Sequence, residues 1–221
     1  MPLLFQPKEK IVCIGDSVTD AERAKPIGEG LFGALGKGWV TQVDALLSVT
    51  YPAHQVRLVN MGTSGNQVTH LAQRWQTDVL DLKPDHVVVM IGINDVWRQF
   101  DLPRQPEQHV LPKAYEATLD KLVAKTLPTV KSLILMTPFI IESSPADAMR
   151  ARMDEYGTIV QKIATKRKTR FIDTQAAFNR VLEHQHSSSI AWDRIHPNQV
   201  GHMVIARAFL QAVGFEWSGG E

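Results

Sequence analysis

The chain has 221 residues, 44% hydrophobic and 21% charged, which is enough to bury a core without staples. Lysine and arginine total 24 against 23 acidic residues, a net charge of +1, so charge gives no reason to expect nucleic acid or an anionic membrane as partner. One cysteine, Cys13, excludes an internal disulfide.

The N-terminal MPLLFQPKEK lacks a long apolar h-region, and no stretch approaches about 18 consecutive apolar residues, so a cytoplasmic location without a membrane span is expected. The first apolar run, residues 11–14, reads as a strand in which Cys13 is buried and inert. It leads into IGDSVTD, where Asp16, Ser17, Thr19 and Asp20 are all helix-capping types. Trp39, Val43, Leu46 and Leu47 follow at helical spacing. A second strand, residues 56–59, ends in NMGTSGN, and Val68, Leu71, Ala72 and Trp75 mark the next helix.

A third strand, residues 86–91, is apolar without alternation from Val87 to Ile91, the pattern of a strand covered on both faces of a parallel sheet, and Gly92-Ile93-Asn94-Asp95 follows. Ala114, Thr118, Leu119 and Leu122 form a helical stripe before a fourth strand, Ser132–Met136, and Thr137-Pro138-Phe139. Tyr156, Ile159, Val160 and Ile163 precede a weaker strand, Arg170–Ile172. Trp192-Asp193-Arg194-Ile195-His196-Pro197 then leads into a last helix carrying Val200, Val204, Ile205 and Ala208. This alternation predicts a three-layer α/β fold with a mostly parallel five-stranded sheet, in one domain over residues 1–221. In such sheets the ligand crevice lies beyond the carboxyl ends of the strands, where the polar, glycine-flanked segments fall.

Those segments fit together as chemistry. A serine hydroxyl needs a base to take its proton, and Ser17 with His196 supplies the pair. Asp193, three residues before His196, can fix the imidazole tautomer from the same tight turn. An oxyanion needs preorganised donors. Gly62 is expected to offer a backbone N–H, Asn94 a side-chain amide and Ser17 its own N–H, with Gly65 read as a φ > 0 turn residue.

These residues sit in the blocks GDSV, NMGTSG, GIND and DRIHP, which resemble the SGNH hydrolases, or GDSL esterase/lipase superfamily. Longer stretches, among them GEGLFGALGKGW, IGINDVWRQFD and AWDRIHPNQVGHM, are similar to its intracellular bacterial acetylxylan esterases over roughly residues 10–217. The resemblance implies a flavodoxin-like α/β/α sandwich that deacetylates xylo-oligosaccharides. It makes Ser17 the nucleophile, His196 the base, Asp193 its partner, and Ser17, Gly62 and Asn94 the oxyanion hole. It implies a homo-oligomer and neither a metal nor an organic cofactor. The first block carries Val18 where the superfamily name records Leu, a packing difference.

Blander readings compete. Taken alone, Ser17 is a cap at a strand–helix turn, Asn94 is a helix N-cap, and Asp193 with His196 is a surface turn closed by Pro197. His184 and His186 do not share a helix face and have no third ligand nearby. Trp192 is read as a sugar platform at the cleft, while Trp97 and Trp217 stand between core and cleft. Two rival functions are a lipid esterase or thioesterase for longer acyl chains, and a carbohydrate-binding protein on an inactive hydrolase scaffold.

Overall fold

A computed structural model describes residues 2–217. Five strands form one parallel sheet: β1 (Lys10–Gly15), β2 (Arg57–Asn60), β3 (His86–Met90), β4 (Ser132–Met136) and β5 (Arg170–Ile172), in the order β2-β1-β3-β4-β5. All five predicted strands are present, with ends shifted by a residue or so.

The helices are α1 (Ser17–Asp20), α2 (Trp39–Thr50), α3 (Val68–Trp75), α4 (Ile93–Asp101), α5 (Pro112–Thr126), α6 (Ala148–Arg167), α7 (Thr174–Leu182) and α8 (Gln199–Ala212). Helices α2 and α8 pack together on one face of the sheet, and α3, α5 and α6 form a layer on the other. Trp39 on α2 meets Phe209 on α8 at 5.8 Å between ring centroids, and Tyr115 on α5 meets Tyr156 on α6 at 4.7 Å.

The middle strand β3 is fully buried along Val87-Val88-Val89-Met90, as its unbroken apolar run requires. Cys13 lies beside it in β1, and burial pushes its thiol far up. No helix among the described residues is long and apolar enough to cross a membrane.

The chain leaves β1 for β2 on one side and returns to β3 on the other. The carboxyl ends of β1 and β3 therefore flank the topological switch point, where a crevice opens. Their ends also pack tightly. A Cβ placed on Gly15 would stand 2.4 Å from the Met90 carbonyl oxygen, so only glycine fits there.

Candidate active site

Asp16 takes up the capping role at the end of β1. Its Oδ1 accepts the Val18 N–H at 3.0 Å, which leaves Ser17 as the first residue of α1 with its hydroxyl free. Asp20 looks the other way. Its Oδ2 accepts from Lys25 Nζ at 2.8 Å and from the Ser64 N–H at 3.0 Å, tying the first strand-end loop to the second.

The Ser17 Oγ lies 2.8 Å from His196 Nε2, and His196 Nδ1 lies 2.6 Å from Asp193 Oδ2. The other Asp193 oxygen accepts the backbone N–H groups of Ile195 at 2.9 Å and His196 at 2.8 Å. Partial burial pushes the Asp193 carboxyl up, but these donors, led by the His196 ring, outweigh it and hold it below its ordinary value. An ionised carboxylate only accepts, so the imidazole carries its proton on Nδ1 and turns the Nε2 lone pair toward Ser17. Arg194 adopts a left-handed conformation (φ 66°) inside this turn and is held by Glu142 and Asp147. Ile195 is buried beneath it.

Of the three groups expected to line an oxyanion hole, one is already engaged. The Gly62 N–H donates to Asn60 Oδ1 at 2.9 Å and is not free. Gly62 is a glycine for packing, since a Cβ there would stand 2.1 Å from the Asp20 backbone nitrogen. Gly65 is the turn residue expected (φ 78°), and its N–H has no acceptor among the described residues. The space where its Cβ would be is open for 4 Å around. The Ser17 N–H likewise has no acceptor. The sequence signal for Gly65 was present in NMGTSGN, but which glycine keeps its N–H depends on the Asn60 side chain.

Asn94 is the second residue of α4, and the cap position belongs to Gly92. The Asn94 amide donates one hydrogen to the Asn66 carbonyl at 3.0 Å and keeps a second, while its Oδ1 accepts from Arg98 at 3.3 Å. These bonds fix which end of the amide is the donor and set it beside the Gly65 loop. Beneath lie two buried carboxyls. Burial pushes Asp16 up to about 7 and Asp95 up to about 8, with the Asp16 charge adding to the rise of Asp95. Asp95 accepts the Val68 N–H at 3.0 Å, and Asp16 Oδ2 has no partner among the described residues.

The three tryptophans separate. Trp97 lies edge-on to the His196 ring at 5.8 Å, with the Arg98 guanidinium 4.7 Å over its face. Trp192 is 86% exposed beside Asp193. Trp217 is not brought to the site within this chain. It packs on Phe215 at 4.8 Å and near Arg207, and the neighbouring Glu216 N–H donates to Tyr51 just past the far end of α2. The near end of α2, at Gly38, is the one that packs on Ala21, so the length of α2, about 18 Å, separates Trp217 from the site. His186 is spent locally as the cap of a 3-10 turn over Ser187–Ser189.

Comparison with known proteins places this geometry among relatives. Residues 13–204 match the model of the GDSL-like lipase/acylhydrolase family. The chain is 56% identical to an acetylxylan esterase of Geobacillus stearothermophilus over 209 residues, 95% of each chain. It superposes on the crystal structure of that organism's acetylxylan esterase Axe2 with a TM-score of 0.96 at 54% identity, covering 97% of this chain and 98% of the other. Catalytic mutants of Axe2 replace one serine, one aspartate and one histidine, spaced along that chain as Ser17, Asp193 and His196 are here. An α/β hydrolase from the Lake Arreo metagenome, LAE5, superposes with a TM-score of 0.95 at 55% identity over 96% of this chain and 98% of its own.

Proposed function

The chain belongs to the GDSL-like lipase/acylhydrolase family and is a carboxylic ester hydrolase, and on that premise we propose that it removes acetyl groups from acetylated xylo-oligosaccharides through a Ser17–His196–Asp193 triad. The observation that carries this reading is the continuous line of hydrogen bonds from Ser17 Oγ through His196 to Asp193, at 2.8 and 2.6 Å. The xylan-derived substrate is carried over from the 56% identical acetylxylan esterase.

In the proposed cycle Ser17 Oγ attacks the acetyl carbonyl carbon as His196 Nε2 takes the hydroxyl proton. The oxyanion is held by the N–H groups of Ser17 and Gly65 and the free amide hydrogen of Asn94. The tetrahedral intermediate collapses, His196 gives its proton to the departing sugar oxygen, and an acetyl-enzyme remains. Water deprotonated by His196 then attacks the acetyl carbon and releases acetate, and the proton returns to Ser17. Asp193 stays ionised throughout and stabilises the imidazolium. Trp97 and the exposed Trp192 offer flat faces for sugar rings beside the turn. We assign the working form to a homo-oligomer in the cytoplasm.

The test is a rate series on chromogenic esters of increasing acyl length, paired with acetate release from acetylated xylobiose, glucose and hexosamine. The reading expects a steep fall beyond acetyl and preference for the xylobiose ester. A rise toward octanoyl would replace it with a lipid esterase. Adduct formation at Ser17 by a serine-directed inhibitor, read as added mass, separates both from an inactive binding protein.

A further inference from the structure

Arg74, near the end of α3, stands apart from the reacting groups and yet bonds to two of the three loops assigned an oxyanion donor, and reaches the third through Asn66. Its Nε donates to Asn66 Oδ1 at 2.7 Å, its Nη1 to the Met61 carbonyl and to Asp78 Oδ2, both at 2.7 Å, and its Nη2 to the Gly15 carbonyl at 3.0 Å. Gly15 ends β1 two residues before Ser17, and Met61 follows the end of β2. Asn66 follows Gly65, and its carbonyl receives the Asn94 amide at 3.0 Å. One planar group therefore gathers the segments bearing the Ser17 N–H, the Gly65 N–H and, through Asn66, the Asn94 amide.

The surroundings support a fixed clamp. The helix widens immediately after α3 into a π turn, Gln76–Leu80, which presents Asp78 to the guanidinium. The Arg74 side chain is 17% exposed and Asp78 22%, so the pair is mostly withdrawn from solvent and little screened. The Gly15 carbonyl also accepts the Thr63 N–H at 3.1 Å, which joins the first two loops a second time. Lysine could keep the charge, but as a point donor it lacks the rigid fork that meets four acceptors at once.

We propose that Arg74 is the positioning residue of the oxyanion hole, holding its three donors in mutual register without touching substrate. This rests on the assignment of Ser17, Gly65 and Asn94 as donors made above. A displacement of about 1 Å in such a constellation costs on the order of 10²-fold in rate. The loss falls on kcat, because the donors act on charge that develops only in the transition state.

The experiment measures kcat and KM on a chromogenic acetate ester for Arg74→Lys, Arg74→Ala, Asn94→Ala, the Arg74→Lys/Asn94→Ala pair and Ser17→Ala, with circular dichroism and Tm for each. Arg74→Lys is expected to lower kcat about 10²-fold with KM nearly unchanged. A trifluoromethyl ketone, which forms an oxyanion adduct, should bind more weakly by a similar factor. The double variant should lose far less than the product of the two single losses, since both act on one hole. Added methylguanidine should restore part of the activity of Arg74→Ala. If Arg74→Ala does not fold, Asn66→Ala removes only the Nε acceptor and should show the same kcat-selective loss. Wild-type kcat in Arg74→Lys, a loss confined to KM, or fully multiplicative losses would overturn the proposal. An active Ser17→Ala would overturn the catalytic reading itself, whereas an inactive Ser17→Ala beside a fully active Arg74→Lys would remove only the role of Arg74.

Discussion

In the proposed reaction the turn at residues 193–197 and the loop at residues 60–66 act together, but they are held in different ways. In the turn, Asp193 accepts from the backbone of Ile195 and His196 and from the His196 ring, all within three residues. In the loop, the restraints come from afar: Asp20 holds the Ser64 N–H, Arg74 holds Met61 and Asn66, and Asn94 donates to the Asn66 carbonyl. The turn closes its carboxylate locally and takes its distant hold only on Arg194, from Glu142 and Asp147. The loop depends on distant side chains at several points, so it is the more exposed to changes elsewhere in the chain.

The largest expected effects test the proposed triad and, within it, the turn. Ser17→Ala should lower kcat by about 10⁶-fold, and Asp193→Asn by about 10⁴-fold, because asparagine keeps an acceptor for the two backbone N–H groups but loses the imidazole tautomer. Near-normal Tm in Asp193→Asn would confirm that the turn closes itself, and a collapsed Tm would erase the contrast. Next comes the loop side of the hole, where Asn94→Ala should cost about 10²–10³ in kcat with KM little changed.

The two glycines sharpen the comparison further. Gly65→Ala meets no atom but strains the backbone at φ 78°, costing about 1–2 kcal/mol, so Tm should fall less than in Gly62→Ala while kcat falls by up to about 10²-fold as the free N–H is displaced. Gly62→Ala drives a Cβ onto the Asp20 backbone nitrogen and should cost about 3 kcal/mol, or roughly 10 °C in Tm. The reverse pattern would return the donor role to Gly62.

The smallest effect concerns pH. Asp95 is raised from 3.8 to about 8 in the folded chain, so between those values the native state holds a proton that the unfolded state releases. Its stabilisation is complete below about pH 4 and is lost as pH rises toward 8. Asp95→Asn should flatten the fall of Tm across pH 5–8 by up to about 3 °C per pH unit, measured by thermal melts in a buffer series. An unchanged slope would mean that Asp95 is not protonated in that range.

The same contrast explains what the sequence discloses. The Asp193–His196 turn was legible because a short motif reports short-range geometry, its meeting with Ser17 across 179 residues only through the order of the strand ends, and the strands because unbroken apolar runs mark a sheet covered on both faces. Which of Gly62 and Gly65 keeps its N–H was not legible, because it turns on the Asn60 side chain, which accepts from Gly62 and leaves Gly65 free. Trp217 stayed open between core and cleft because its position depends on which end of α2 residues 215–217 reach, a matter of topology. Helix α7 has an Ala-rich start that dilutes its apolar period, and α4 begins three residues after β3, so neither announced itself as the longer helices did. Arg74 has an unremarkable helical setting, and only its reach to two loops and, through Asn66, to Asn94 gives it a role.

Cys13, fully buried between β2 and β3 with its thiol pushed far up, leaves the described surface without a competing thiol. A single cysteine introduced at Trp192, beside Asp193 and open to solvent, would thus take a maleimide fluorophore on an otherwise silent background. Ligand arrival at the turn of residues 193–197 could then be followed optically, in real time, with no second substitution needed to clear the chain of sulfhydryls.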